Sequence, residues 1–342
     1  MAEEVKKEDI IADETIPEES KGLTEIKSIG PKTALKLIDA GIATPQQIAC
    51  CRYEELAEIL KISKKAAKDI VNDAMNKYLD KTITLGNFGT ITAHFRDIVK
   101  RIPTGSTVFD KIMKGGIPTE AITIFKGEFA SGKSEICYQL TANALKYFKG
   151  CRVVWIATES GTFVPDRLNE ISKAIGIKVA DDDIIYIDSS QITTPWNLYL
   201  SYQRIDKYVT ENNLDVKLWV IDSFSAPFRK SYGPREMLPD RSREENRHLG
   251  FLDQFAKKNN TAIVLTAQVM DIPDPGAQLG EMVKSGHKKK MVGGKVLEHG
   301  GTYLISLEQK AMKQWEGIIF DAPDIARTAF RFQITGAGVR DI

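Results

Sequence analysis

The segment from Gly127 to Ser134 has the residue types and the spacing of a phosphate-binding loop. Its sequence, GEFASGKS, fits the pattern G-x-x-x-x-G-K-[ST] at every fixed position. A β-branched run (121–125) precedes it and a helical pattern (135–140) follows it, so backbone N–H groups and the helix dipole can surround a phosphate. This context favours a nucleotide-binding loop over an ordinary glycine-rich turn. The residues of the predicted loop are Gly127, Glu128, Phe129, Ala130, Ser131, Gly132, Lys133 and Ser134.

Two residues of this pattern, together with an aspartate on a later predicted strand, are suited to phosphates and a metal ion. Lys133 is predicted to reach the outer phosphates, and Ser134 is predicted to bind Mg²⁺ through its hydroxyl group. Asp222 ends the apolar run 218–221, and a carboxylate at the carboxyl end of a strand can hold Mg²⁺ through water. The alternative role for Asp222 is a helix cap. Because the phosphate-binding loop is present, we favour the metal ligand.

Hydrolysis of a bound nucleotide also requires a group that activates water. Glu159 follows the predicted strand 152–157, at the sheet edge where ligands bind in open α/β sheets. We therefore predict that Glu159 is a general base, although a cap or a surface charge is the alternative. Gln268 follows the predicted strand 262–266. Its amide is placed to contact a γ-phosphate and to report that contact to the following loop.

Length and composition exclude several classes of protein. The chain has 342 residues and a formal net charge of +1, so overall charge does not indicate a nucleic-acid partner. No targeting segment and no apolar run of membrane-spanning length is present in the sequence. The cysteines have neither C-x-x-C nor zinc-ligand spacing, which predicts reduced thiols in a cytoplasmic protein without a membrane partner. They are Cys50, Cys51, Cys137 and Cys151.

The chain divides into segments of different composition. Residues 1–20 are dense in charge and are predicted to form a disordered acidic tail. Short helical patterns fill 21–80 and predict a compact bundle of four or five helices. Residues 81–100 are expected to form a linker with extended character over 82–95. The remainder, 101–342, alternates apolar strand patterns with helical segments, which predicts an α/β domain with a mostly parallel sheet.

Two long segments of the α/β domain, 229–240 and 270–292, show no helix or strand pattern. Long loops in a compact domain are usually functional or disordered. Each follows a strand that ends in a predicted nucleotide ligand, and each is rich in cations. We therefore favour binding of single-stranded DNA over a solvated surface. The residues that we predict to bind DNA, from a first loop taken to residue 241 and from the second loop, include Arg229, Tyr232, Arg235, Arg241, Lys288 and Lys289.

The first helices contain a sequence, 26–34, that resembles a helix-hairpin-helix. In that motif a tight glycine turn directs backbone N–H groups at a DNA phosphate. Ser28 replaces the first of the two usual glycines in this chain. A phosphate clamp and a hairpin without DNA contact therefore both remain open.

Taken together, these residues resemble the RadA recombinase family of archaea, which is related to eukaryotic Rad-type recombinases and bacterial RecA. The resemblance covers nearly everything from Leu23 to Ile342. Its matching pieces follow one another in the order of the family. They are Gly127–Ser134, Thr158-Glu159 with Phe163 and Pro165–Arg167, Ile221–Ser223, Phe228-Arg229 with Tyr232, Arg235 and Asp240-Arg241, Gln268-Val269, Gly293-Gly294 with His299, and Asp321–Pro323.

The resemblance implies a RecA-like core behind a small helix-hairpin-helix domain, with ATP and Mg²⁺ as cofactors. It implies a DNA-dependent ATPase that forms filaments or rings on single-stranded DNA. The protein would pair that strand with homologous duplex DNA and exchange strands in DNA repair, at the nucleoid and with possible mediators. The DNA-binding residues it implies in the second loop are Lys288, Lys289, Gly293 and Gly294.

Other roles implied by the resemblance concern the nucleotide. Lys133, Glu159 and Gln268 would be the catalytic residues. Arg167 would stack on adenine. His299 would approach the γ-phosphate near a subunit interface, where the residues that cap the neighbouring subunit's ATP would be Asp321 and Pro323.

Departures from the family pattern keep a second hypothesis open. The family docks subunits through an F-x-x-A segment, and here Phe88 is followed at the third position by Ile91. Leu304 and Glu308 occupy positions that are usually basic. An accessory paralog that binds ATP and DNA without strand exchange is therefore the alternative. A hexameric helicase or clock-type ATPase is disfavoured because the helix-hairpin-helix and the arginine-rich loop are not expected there.

Overall fold

A computed structural model describes residues 18–82, 86–233, 235–271, 289–291 and 294–342. The chain divides into two compact units, Met1–Ile91 and Thr92–Ile342, which are described separately. Most of the predicted acidic tail lies outside the described residues. None of the helices in the described ranges is long and apolar enough to cross a membrane.

The small unit is a bundle of short helices, as the sequence predicts. Within its described residues, a 3₁₀ helix (Glu18–Glu25) precedes α1 (Pro31–Asp39), α2 (Pro45–Cys50), α3 (Tyr53–Leu60) and α4 (Lys64–Thr82). Thr44 caps α2 in a reciprocal capping box with Gln47, and Pro45 occupies the first turn. The Ser63 hydroxyl accepts from the N–H of Ala66 and opens α4. Apolar side chains from all these helices form one core.

The segment before the large unit is helical, so the extended character predicted over 82–95 is wrong for residues 88–95. Helix α5 (Phe88–Ala93) is followed by one π-helical turn, His94–Ile98. Asn87 and Thr90 explain the helix start, because the Asn87 side chain accepts from the Thr90 N–H and the Thr90 hydroxyl accepts from the Asn87 N–H.

The large unit is an α/β domain. Its strands are β1 (Arg101–Ile102), β2 (Ile117–Pro118), β3 (Ile122–Gly127), β4 (Arg152–Ala157), β5 (Ile184–Ile187), β6 (Val216–Asp222), β7 (Ala262–Asp271), β8 (Lys289–Met291), β9 (Tyr303–Ala311), β10 (Gln314–Asp321), β11 (Thr328–Thr335) and β12 (Gly338–Arg340). Its helices are α6 (Thr107–Ile112), α7 (Lys133–Tyr147), α8 (Pro165–Ala174), α9 (Pro195–Glu211), α10 (Ser225–Ser231), α11 (Leu238–Asn259) and α12 (Gly294–Gly300).

Ten of the described strands form one sheet, in the order β12-β11-β10-β9-β3-β7-β6-β4-β5, with β8 paired to β7. The strands from β9 to β5 run parallel, and β10 to β12 continue the sheet antiparallel. Alternate residues of β4 enter opposite cores, Trp155 on one face and Val154 on the other. The predicted mostly parallel sheet, buried on both faces, is confirmed.

The structure corrects the prediction that residues 229–240 lack secondary structure. Helix α10 extends to Ser231, a 3₁₀ turn covers Arg235–Met237, and α11 begins at Leu238. Proline in the first turn and the acidic Asp240 both favour a helix start, and the many charges of this segment concealed that signal.

An aromatic cage fixes α10 against α11. His248 of α11 is fully buried, and its ring contacts those of Tyr202, Phe224 and Phe228. Its Nδ1 lies 3.3 Å from the Tyr202 hydroxyl. Burial and, to a smaller extent, the nearby charge of Arg247 together lower the pKa of His248 to about 3. The imidazole is therefore neutral in the folded protein at neutral pH.

This neutral histidine predicts acid sensitivity. Below pH 6.5 the unfolded chain binds a proton at His248, whereas the folded chain does not bind it until about pH 3. The free energy of unfolding therefore decreases as the pH falls from 6.5 to about 3. In His248→Gln this contribution disappears. The difference in the free energy of unfolding between variant and wild type should change by about 1.4 kcal/mol per pH unit between pH 6 and 4. Denaturant unfolding at several pH values measures it, and parallel curves for the two proteins would contradict the assignment.

Candidate active site

A cavity of about 660 Å³ opens at the carboxyl ends of the central parallel strands. Its volume falls in the range of small-molecule sites. The side chains that line it come from the segments after β3 and β4, from the end of β6, from β7, and from the paired strands β10 and β11. Predicted residues in the lining are Phe129, Ala130, Ser131, Gly132, Lys133, Ser134, Glu159, Asp222 and Gln268.

The loop after β3 closes around a lysine. The Lys133 ammonium donates to the carbonyls of Gly127 at 3.1 Å and Glu128 at 2.6 Å, and to the Ser131 hydroxyl at 3.2 Å. Gly132 caps α7 with a φ of +89°, a conformation that glycine adopts without strain. The loop thus places a cation beside the N-terminus of a fifteen-residue helix, which is the arrangement that binds phosphate.

A buried carboxylate faces this lysine. Asp222 ends β6 and accepts from the Ser134 hydroxyl at 2.6 Å and from the Thr266 hydroxyl at 2.5 Å. Burial raises the pKa of Asp222, while the two hydroxyl bonds and the Lys133 charge oppose that rise. Burial lowers the pKa of Lys133, and the charge of Asp222 opposes that change. Opposite charges therefore partly stabilise each other at the base of the cavity.

The donor set fits Mg²⁺ bound together with a nucleotide. Among the described residues no group of three or more His, Cys, Asp or Glu side chains could hold a metal ion. Ser134 and Asp222 supply a hydroxyl and a carboxylate, and Mg²⁺ usually completes its shell with water and substrate phosphates. These two residues would hold the ion beside the phosphate-binding loop.

A polar network occupies the mouth of the cavity. The Arg229 guanidinium donates to Glu159 Oε1 at 3.2 Å and to Gln268 Oε1 at 2.5 Å. The other Glu159 oxygen accepts from the Ser223 hydroxyl at 3.0 Å and from the Gln268 amide at 3.4 Å. Arg229, which the sequence assigned to DNA, thus contacts both of the residues assigned to hydrolysis.

Arg167 lies beside the cavity in a different environment from the one expected. Its guanidinium donates to the Glu135 carboxylate at 2.6 Å and to the carbonyls of Thr335 at 2.7 Å and Gly336 at 2.8 Å. Trp315 and Ile334 also line the cavity and were not predicted from the sequence. Trp315 and Ile334 reach the cavity because β10 and β11 pair with the sheet, and no local sequence pattern indicates this pairing.

Three residues expected near the nucleotide lie outside the cavity lining within the described part of the chain. His299 is near the end of α12, Asp321 ends β10 and Pro323 follows it, and all three are exposed. The resemblance assigns them to a site shared with a neighbouring subunit. That assignment stays a prediction, as does docking through Phe88, which is 85% exposed.

The predicted DNA-binding residues are found in varied surroundings. Tyr232 is half-buried after α10, and Arg235 opens a 3₁₀ turn. The Arg241 side chain is buried and bonds to Glu245 at 2.8 Å, so a DNA contact would require it to leave that partner. Lys289 lies in β8 and Gly294 begins α12, whereas Lys288 and Gly293 lie outside the described residues.

At the turn of the helix-hairpin-helix sequence, a backbone N–H donates to a carboxylate of the same unit. The N–H of Lys27 donates to Asp73 at 2.8 Å, and Ser28 has a φ of +70° where the motif usually has glycine. A DNA phosphate would have to displace Asp73 from this amide.

Comparison with known proteins gives matches over nearly the whole chain. The Rad51 family model matches residues 95–342, and a SAM-like helix-hairpin-helix tandem model matches residues 20–76. The DNA repair and recombination protein RadA of Ignicoccus hospitalis is 33% identical over 330 residues, covering 93% of this chain and 95% of that protein. The protein of the same name from Aeropyrum pernix is 34% identical over 332 residues, covering 94% and 98%.

Two glycines provide a test of the phosphate-binding loop. Gly132 and Gly150 both have positive φ, so Gly132→Ala and Gly150→Ala should each lose about 1 kcal/mol of stability. A Cβ at Gly132 would meet Ile334 at 2.8 Å and Trp315 at 3.3 Å, whereas one at Gly150 meets nothing within 4 Å. Only Gly132→Ala should lose the thermal protection that MgATP gives. Equal protection of both variants would place the nucleotide elsewhere.

Proposed function

The chain belongs to the Rad51 family, and on this premise we propose that it is an ATP-dependent DNA recombinase. In this proposal it forms filaments on single-stranded DNA, pairs that strand with homologous duplex and exchanges strands during DNA repair. One observation carries the proposal. The side chains needed to bind and hydrolyse a nucleoside triphosphate line a single cavity in a chain that is similar to RadA along nearly its full length.

Nucleotide binding follows from the charges at the base of the cavity. Lys133 would exchange its carbonyl partners for the outer phosphate oxygens, because a cation bonds more strongly to an anion than to a dipole. Ser134 and Asp222 would hold Mg²⁺, which supplies charge neutralisation on the phosphates. Arg167 would contact the base from the adjacent surface.

Hydrolysis depends on Glu159 and Gln268. Glu159 would accept a proton as water attacks the γ-phosphate, so the products are ADP and phosphate. The hydroxyl of Ser223 orients this carboxylate through Oε2. Gln268 would donate to the γ-phosphate, and its position just before the second loop would report the nucleotide state to that loop.

DNA binding and assembly involve the remaining predicted residues. We infer that both single-stranded and duplex DNA contact the segments around α10 and β8, with cations on phosphates and Tyr232 against a base. Phe88 would dock one subunit on the next, and Asp321, Pro323 and His299 would complete the neighbour's ATP site. The DNA-binding residues of the proposal are Arg229, Tyr232, Arg235, Arg241, Lys288, Lys289, Gly293 and Gly294.

The domain plan stays part of the proposal. It comprises a tail (1–20), a helix-hairpin-helix domain (21–80), a docking linker (81–100) and an ATPase core (101–342). We place the protein in the cytoplasm with the nucleoid, where mediators would meet it.

Strand β9 carries the observation that favours the second candidate, an accessory paralog. Leu304 is 1% exposed in the core, so it cannot replace a basic DNA contact. Glu308 places a carboxylate on the same strand and pairs with Lys310 at 2.7 Å. A weakened duplex contact would leave ATP and single-strand binding intact while removing strand exchange.

Two substitutions separate binding from hydrolysis. Lys133→Ala should abolish ATP binding, because it removes the cation at the centre of the loop. Glu159→Gln should bind ATP with little change but hydrolyse it about 100-fold more slowly, because the amide cannot take a proton from water. Isothermal titration and phosphate release measure the two steps. Normal turnover by Glu159→Gln would assign the base to another residue.

Strand exchange is the decisive experiment for the function. With ATP and Mg²⁺, a single-stranded circle and its homologous linear duplex should form joint molecules, and single-stranded DNA should stimulate hydrolysis. The matched control is a heterologous duplex, which should give no joint molecules. Stimulated hydrolysis without joint molecules would identify the accessory paralog instead.

A further inference from the structure

Arg229 joins two residues that the proposed function uses for different tasks. Its two terminal nitrogens donate separately, one to Glu159 and the other to Gln268. It lies in the last turn of α10, which begins three residues after Asp222. A single guanidinium thus connects the ends of β4, β6 and β7 at the mouth of the cavity.

This contact affects the hydrolytic role of Glu159. A general base needs an oxygen that is available to the proton of the attacking water. In this chain Oε1 accepts from Arg229, and Oε2 accepts from Ser223 and Gln268. Both oxygens therefore have donors already, which opposes proton transfer from water to either one.

The same contact affects Gln268. Its carbonyl oxygen accepts from Arg229, which turns its amide group toward Glu159 at 3.4 Å. The amide NH2 has two N–H groups, but with its carbonyl oxygen bonded to Arg229 and one N–H bonded to Glu159 the amide is oriented toward Glu159 and not toward a γ-phosphate. Arg229 thus maintains both hydrolytic residues in contact with each other.

Arg229 also has access to a competing partner. Its side chain is 37% exposed, and it lies at the start of the segment that we propose to follow single-stranded DNA. A guanidinium forms paired, charge-assisted bonds to phosphate as readily as to carboxylate. A DNA phosphate at this edge would therefore compete directly with Glu159 for Arg229.

We propose that Arg229 is a positioning residue that restrains Glu159 and Gln268 until a DNA phosphate takes over its guanidinium. Release would free Oε1 of Glu159 for water and the Gln268 amide for the γ-phosphate, so DNA binding accelerates hydrolysis. Coupling is reciprocal, so a γ-phosphate that recruits Gln268 weakens its bond to Arg229 and favours DNA binding. This inference rests on the proposed ATPase function.

The test compares steady-state hydrolysis by the full chain with and without saturating oligo-dT, whose occupancy is measured by fluorescence anisotropy. In Arg229→Ala, the DNA-free kcat should rise about threefold to tenfold with KM for ATP within about twofold. The stimulation by oligo-dT should fall toward one. Arg229→Lys should lie between, because an ammonium keeps the charge but cannot bridge both partners.

A matched arginine controls for loss of charge. Arg331 on β11 has an exposed side chain that is 3.5 Å from Glu316. Arg331→Ala should leave both kcat and the stimulation unchanged. If Arg229→Ala does not fold, as judged by circular dichroism, Arg229→Lys supplies the measurement.

The outcomes separate this inference from the proposed function. An unchanged or lower DNA-free kcat in Arg229→Ala, with stimulation retained, would overturn the restraint and assign Arg229 a supporting role for Glu159. A wild-type chain that binds ATP but hydrolyses none under either condition would overturn the ATPase function and this inference with it.

Discussion

The buried carboxylate of Asp222 is the constraint on which the site depends. A carboxylate that is 3% exposed must have partners for both oxygens, because leaving one unsatisfied costs about 1–3 kcal/mol or more. Ser134 supplies one from the start of α7, and Thr266 supplies the other from β7. The Asp222 side chain therefore joins the phosphate-binding loop to β6 and β7. The positive charge of Lys133 nearby offsets the negative charge of this carboxylate.

The backbone around Asp222 extends this connection. Its carbonyl accepts from the N–H of Thr158 at 3.0 Å, and the N–H of Phe224 donates to the carbonyl of Thr266 at 2.9 Å. The end of β6 is thus bonded to the segment that follows β4, which carries Glu159, and to β7, which carries Gln268. These bonds hold β7 and the segment after β4 on either side of Asp222, so Glu159 and Gln268 lie close to each other.

The features of this site that are encoded by short stretches of chain could be predicted from the sequence. The strand, loop and helix around Lys133, and the apolar run that ends at Asp222, each lie within a few residues of chain. The helices over 229–240 were missed because charges and proline in that segment are equally typical of a loop. The lining by Trp315 and the contact of Arg229 with Glu159 depend on sheet order, and no single segment encodes sheet order.

The contacts of Arg229 with Glu159 and Gln268 add a second role to the DNA contact that was predicted for Arg229 from the sequence. From sequence, Arg229 is assigned to a cation-rich loop that binds single-stranded DNA, with a solvated surface as the alternative. In the fold, Phe228 is buried next to His248, so α10 is fixed to α11 and its last turn faces the cavity. The same packing that orients the helix therefore places Arg229 against the cavity residues Glu159 and Gln268 while leaving its side chain 37% exposed. In the proposed function, one residue with two competing anionic partners, Glu159 and a DNA phosphate, would be sufficient to couple DNA binding to hydrolysis without a movement of the whole domain.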